Sequence, residues 1–134
     1  MNLLLNIDVP DLPAAEAFYV AAFGLRRGRR LGEDGLELLG AQVPVYLLRK
    51  PAGSAGATGS PRGYARHWTP LHVDLVVDDL ETALARALSA GARQEGTVRA
   101  AAWGQIVQLA DPFGHGWCLI EFSAAGYDAI ADPS

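Results

Sequence analysis

The stretch LHVDLVVDDLETALARAL, residues 71–88, sets a histidine at the head of an alternating apolar run that turns acidic and then takes on a helical repeat. It has a counterpart. LLLNIDVPDLPAAEAFYVAAFGL, residues 3–25, aligns with LHVDLVVDDLETALARALSAGA, residues 71–92, without a gap from Leu4 on His72 to Leu12 on Leu80, an offset of 68 (72 minus 4). Val9 meets Val77 and Asp11 meets Asp79. Self-similarity on this scale marks a duplicated unit and has to be found before single elements are assigned.

Each copy opens on a two-residue period, the pattern of a strand with unlike faces. Leu5, Ile7 and Val9 share one face, as do Val73, Leu75 and Val77; Asn6, Asp8, His72 and Asp74 point the other way. An aspartate then stands ready to cap a helix, Asp11 in the first copy and Asp78 or Asp79 in the second. Pro13 is tolerated in a first turn, and Glu81 lies favourably near the positive helix end. Leu12, Ala15, Tyr19 and Ala22 recur at helical spacing, as do Leu80, Ala83, Leu84, Ala87 and Leu88, while Gly24 and Gly91 fall where a left-handed C-terminal cap is wanted.

Strands follow both helices. In the first copy they are RRGRRL, then LELLGA and VPVYLLRK beyond a GEDG turn; in the second, ARQEGTV, GQIVQLA and GWCLIEF. Each copy therefore reads β-α-β-β-β, and the expectation is one α+β domain over residues 1–134. Module 1 spans about 3–50, a Gly, Ser, Ala and Pro-rich connection about 51–66, module 2 about 67–122, and a weakly patterned tail 123–134 is expected to fray.

Composition narrows the function. The chain has 134 residues, is 50% hydrophobic and carries a formal net charge of −4, so it can bury a core but has no basic field to hold a phosphate backbone. The arginines at 26, 27, 29 and 30 are a local cluster. No apolar run approaches the roughly 20 residues that span a bilayer, MNLLLNIDVP lacks the form of a signal peptide, and the lone Cys118 agrees with a reducing compartment. The expectation is a cytoplasmic protein with neither nucleic acid nor membrane as partner.

In DPFGHGWCLIEF, residues 111–122, Asp111 can accept backbone N–H bonds, Pro112 presets its own φ and Gly114 permits a positive one, which describes a tight turn feeding an apolar strand. Together with the doubled β-α-β-β-β pattern, VPDLPAAEAFYVAAFGL, HVDLVVDDLETALARALSAGA and DPFGHGW make the chain resemble the vicinal oxygen chelate superfamily of glyoxalases, bleomycin-resistance proteins and extradiol dioxygenases. The resemblance covers residues 3–122 or so. It implies two βαβββ modules forming a cupped mixed sheet around a cavity, helices outside, and a homodimer.

Metal-using relatives draw ligands from an opening and a late strand of each module, and the resemblance carries this pattern over incompletely. His72 falls on the opening ligand position of module 2. Leu4 falls on that of module 1 and has no lone pair to offer. The late position of module 2, seven residues after the aspartate of the turn, is Cys118; Glu121 lies on the opposite strand parity, and VPVYLLR, residues 43–49, holds no His, Cys, Asp or Glu. A catalytic divalent ion generally needs three or more protein ligands. The expectation is no metal cofactor, with His72 and Cys118 the metal candidates if one is present and Asp74 as a possible third ligand.

The ligand-binding residues expected are Asn6, Asp8, His72, Asp74, Trp68, Trp103 and Cys118. The polar four share the non-helix face of the opening strands, and the indoles offer broad apolar faces, although Trp103 and Trp117 serve equally well as packing. Gln105 or Gln108 adds an amide, according to parity. His72 is as readily satisfied by Asp74 as engaged with a ligand, Cys118 is the kind of small residue that fills a sheet, and His115 suits its turn without further purpose. This composition favours a metal-independent binder of a small organic molecule, an antibiotic or metabolite. The alternatives are a metal-dependent lyase, isomerase or dioxygenase of the same fold, and a metal-free acid/base enzyme using His72 and Asp74.

Overall fold

The structure, a computed structural model, describes residues 1–133. The chain divides into two compact units, Met1–Ala65 and Arg66–Ser134, each with its own four-stranded sheet. No helix is long and apolar enough to cross a membrane.

In unit 1, β1 (Leu5–Val9) leads into α1 (Leu12–Phe23), then β2 (Arg26–Leu31), β3 (Gly35–Leu39) and β4 (Val45–Arg49), in sheet order β1-β4-β3-β2. The β1–β4 pair is parallel and the others antiparallel, so the sheet is mixed. Asp11 caps α1 by accepting from the Ala14 amide at 3.0 Å, and Gly24 ends it in the left-handed region at φ 70°. A side chain with a β-carbon would strain that conformation, so the glycine fixes where the helix stops. Leu12, Ala15, Phe18, Tyr19 and Ala22 form the buried stripe of α1, and Ile7, Val9, Leu36, Leu38, Val45 and Leu47 are buried in the sheet. Burial of each large apolar side chain contributes about 1.5–3 kcal/mol, which is what holds so short a helix on its sheet.

Unit 2 repeats the plan with β5 (Val73–Val76), α2 (Leu80–Ser89), β6 (Arg93–Ala101), β7 (Gly104–Ala110) and β8 (Gly116–Phe122), in order β5-β8-β7-β6 and again mixed. The offset of 68 between the copies holds for the first residue of both opening strands and both helices (5 and 73, 12 and 80). Asp79, rather than Asp78, is the cap, accepting from the Thr82 amide at 3.1 Å. The C-terminal cap differs from the expectation at Gly91. Ala90 ends α2 in a right-handed conformation, because its N–H bonds back to the Arg86 and Ala87 carbonyls and tightens the last turn; Gly91 follows at φ 115°.

Two segments that sequence leaves loose are tied down. Ala55 and Pro61 form a bridge, Gly53 donates to the Arg62 carbonyl at 2.8 Å, and the Arg62 guanidinium meets Asp8 at 2.9 Å. After β8, the Ser123 amide donates to the Trp103 carbonyl at 2.9 Å, and a 3-10 turn at Gly126–Ala129 sets the Tyr127 ring edge-on to Phe122 at 4.7 Å. The Tyr127 ring also lies 6.1 Å from that of Trp103, so the first residues of the tail contact both the turn before β7 and the end of β8.

Candidate functional site

The polar face of the unit 2 sheet follows from strand parity. Glu121 accepts a hydrogen bond from the Leu80 amide at 3.0 Å, so the face of β8 that carries Glu121, Leu119 and Trp117 is turned toward α2. Cys118 lies on the other face. The register then aligns a row across the sheet: Asp74 of β5 opposite Cys118 of β8, Cys118 opposite Gln108 of β7, and Gln108 opposite Glu95 of β6. His72, two residues before Asp74, shares its face.

These side chains differ in how far they are already satisfied. Arg66 holds Glu95 with a two-pronged ion pair, both bonds 3.0 Å, and also donates to the His67 carbonyl. Its guanidinium packs against Gly116, where an added β-carbon would come within 2.5 Å of Nη2 and would displace the arginine. His72 Nε2 stands 3.4 Å from Asp74 Oδ1, too far for a strong hydrogen bond, with the two side chains 59% and 31% exposed. Cys118 is buried, and burial together with the Asp74 carboxylate pushes its thiol from an ordinary 9.0 up to about 11. At neutral pH it is a thiol rather than a nucleophilic thiolate.

An open cleft on this face is lined by Arg66, Trp68, Thr69, His72, Gln108 and Cys118, with the backbone turn of Gly116 and Trp117 beneath. Trp68 stands at its rim, 77% exposed. Three of the expected ligand-binding residues therefore line it, His72, Cys118 and Trp68, together with Gln108 of the two glutamines considered; Asp74 lies beside it, its carboxylate within 4.8 Å of the His72 and Cys118 ligand atoms. Asn6 and Asp8 belong to unit 1, where Asn6 is exposed on β1 and Asp8 is engaged by Arg62. Trp103 sits in the turn between β6 and β7 with its ring 6.1 Å from Tyr127, outside the cleft lining. Arg66 and Thr69 were not legible as site residues, since nothing in RHWTP signals which side chains turn onto the sheet.

The ligand atoms of His72, Asp74 and Cys118 all lie within 4.8 Å of one another, and no other His, Cys, Asp or Glu group of three does so among the described residues. Zinc bonds of about 2.0 Å to nitrogen or oxygen and 2.3 Å to sulfur place tetrahedral ligands roughly 3.3–3.8 Å apart, so the set can close on an ion by small side-chain rotations. Imidazole, carboxylate and thiolate are also the donor types zinc takes. The residues present fit a metal. The corresponding row of unit 1 does not: it runs Asn6, Tyr46, Glu37, and Glu37 is clasped by Arg29 at 3.0 and 2.6 Å.

Asp111 organises the turn below the cleft. Its buried carboxylate accepts from the Phe113 and His115 amides at 2.8 and 3.0 Å and from the Trp117 indole at 2.9 Å, with His115 Nδ1 at 3.0 Å. Trp117 and His115 are thereby committed to the turn.

The family model for the glyoxalase-like domain matches residues 5–120, from the first residue of β1 to within two residues of the end of β8. The chain belongs to the glyoxalase-like family. It thus lies within the vicinal oxygen chelate superfamily. An uncharacterised protein of Mycobacterium bovis is 34% identical over 122 residues, spanning 85% of this chain and 78% of its own length. Among solved structures, the fosfomycin resistance protein FosX of Listeria monocytogenes aligns with a TM-score of 0.71 at 15% identity, over 92% of this chain and 94% of its own. A lactoylglutathione lyase of Agrobacterium tumefaciens aligns with a TM-score of 0.64 at 21% identity, over 90% and 92%. At these identities the two structures attest the glyoxalase-like fold alone.

Proposed function

We propose that this glyoxalase-like chain captures a small organic molecule, an antibiotic or metabolite, on the polar face of module 2. The observation that carries the proposal is the cleft beside Trp68: an indole left 77% exposed next to hydroxyl, imidazole, amide and thiol groups. An exposed aromatic face beside converging polar groups suits a planar ligand that stacks and is then oriented by hydrogen bonds. Similarity to a fosfomycin resistance protein supports an antibiotic as one class of ligand. Charge does not single out a basic molecule, because Asp8 and Glu95 already hold arginines. A cytoplasmic homodimer is part of the proposal.

Sequence favoured a metal-independent binder because only His72 and Cys118 fell on ligand positions, with Asp74 a possible third. The convergence of Asp74 with His72 and Cys118 within 4.8 Å supports, as a second reading, a metal-dependent lyase, isomerase or dioxygenase of the same fold. Isothermal titration of chelator-treated protein with basic antibiotics and related metabolites tests the first reading. Binding in the micromolar range, weakened at least tenfold by Trp68→Ala, is the expected result. Absence of heat at high micromolar concentration across that panel would overturn it.

A further inference from the structure

We infer that the cleft of module 2 takes a planar ligand bearing one carboxylate, and that Arg66 is the residue that recognises the acid. The inference rests on the capture of a small molecule proposed above and divides the panel named there: members carrying a carboxylate bind, and basic members without one do not.

Hydrogen-bond donors decide the class. The cleft is lined by a guanidinium, an indole, an imidazole and the Gln108 amide, and among the described residues no carboxylate lines it. Arg66 Nε and Nη2 each donate to Glu95 at 3.0 Å and Nη1 donates to the His67 carbonyl, which commits three of the five N–H groups. One on Nη1 and one on Nη2 remain. Two donors on neighbouring nitrogens of one plane match the two oxygens of a carboxylate, the partner a guanidinium binds with most geometric specificity. The Arg66 side chain is 24% exposed, held by Glu95 yet not sealed from solvent. A guanidinium fixed in advance loses little freedom when a ligand arrives.

Charge sets the limit at one acid. Arg93 stands 3.9 Å from the carboxylate that Arg66 already holds, so two arginines share Glu95. Arg99 follows on β6, exposed and opposite Ile106, which puts it on the same face of the sheet as Glu95 and Gln108, and its charge reaches Cys118. Set against Glu95 and Asp74, these three arginines leave one positive charge in excess, on a chain whose net charge is −4. A monoanion is balanced there, whereas a dianion such as a phosphate would leave a negative charge uncompensated beside Asp74. Trp68 at the rim then supplies the face on which the aromatic body of the acid stacks.

Naphthoate is the probe, with naphthamide and naphthylmethylamine as neutral and cationic counterparts of the same ring. Full-length protein is stripped with chelator and dialysed, so that no metal–carboxylate bond contributes, and is titrated calorimetrically with each. Naphthoate should bind at least about tenfold tighter than either counterpart, the usual margin of a charged hydrogen bond over a neutral one. Arg66→Gln should bring naphthoate down to the affinity of the amide and leave the amide unchanged, while Trp68→Ala weakens acid and amide alike. Circular dichroism checks folding, and because Arg66→Gln strands Glu95, the paired variant Arg66→Gln/Glu95→Gln carries the test if the single one misfolds. Equal affinity for acid and amide, tighter binding of the amine, or an acid preference that survives loss of Arg66 in a folded protein would overturn the inference and leave capture in the cleft standing. Absence of binding by all three up to about 1 mM would overturn capture there, and the inference with it.

Discussion

Cys118 concentrates the chemistry of this chain at the scale of one residue. Its burial was foreseeable from an apolar strand, but its neighbour Asp74 was not, because pairing of the two depends on which residues the parallel register brings level. The consequence is a thiol whose pKa is pushed from 9.0 up to about 11 by burial and by the Asp74 carboxylate. A folded-state value above the unfolded one means that stability is intact below about pH 9 and is lost as pH rises through 11, because the unfolded chain sheds the proton first. Urea unfolding in the presence of chelator should therefore show a fall between those values that is smaller in Cys118→Ala, the difference between the two proteins isolating this group from tyrosines and lysines. Glu37 reports the opposite case. Hydrogen bonds from Arg29 hold its carboxyl below the ordinary 4.5, so its contribution is present above that pH and is lost on acidification through the lower value.

Among the elements, the opening strand and helix of each module were readable because their signals are local. Alternation, an aspartate cap and a helical apolar stripe all fall within twenty residues or so, and the structure starts both strands and both helices where the repeat places them. The third and fourth strands of module 2 were legible for a similar reason: each is a short apolar run ended by glycine or the Asp111 turn. Long-range partners were not legible. Glu121 was known to face away from Cys118, yet sequence gave no hint that it binds the α2 N-terminus from another strand. Removing it in Glu121→Ala should cost about 1 kcal/mol, the usual loss for a helix cap, and should speed amide exchange at Leu80. The register shifts between Arg27 and Arg30 and between Glu95 and Arg99 were likewise invisible, since register is a property of two paired strands and not of either alone.

For the molecule as a whole, charge is the property that sequence reads most directly. The net charge is −4, and the one arginine-rich segment is largely occupied: Arg27 pairs with Glu16, Arg29 with Glu37, and Arg30 with the Gly32 and Glu33 carbonyls. Fluorescence anisotropy with a labelled DNA duplex at physiological salt should show no association tighter than about 10⁻⁴ M, the weak end of non-specific binding. A tighter complex would mean that these arginines leave their carboxylates. Sequence by itself determined that the chain is two copies of one βαβββ unit, because periodicity and capping act between residues close together along the chain. Only tertiary structure decided that His72, Asp74 and Cys118 meet while Asp8 and Trp103 are engaged elsewhere, because strand pairing and strand register join side chains that no local rule connects.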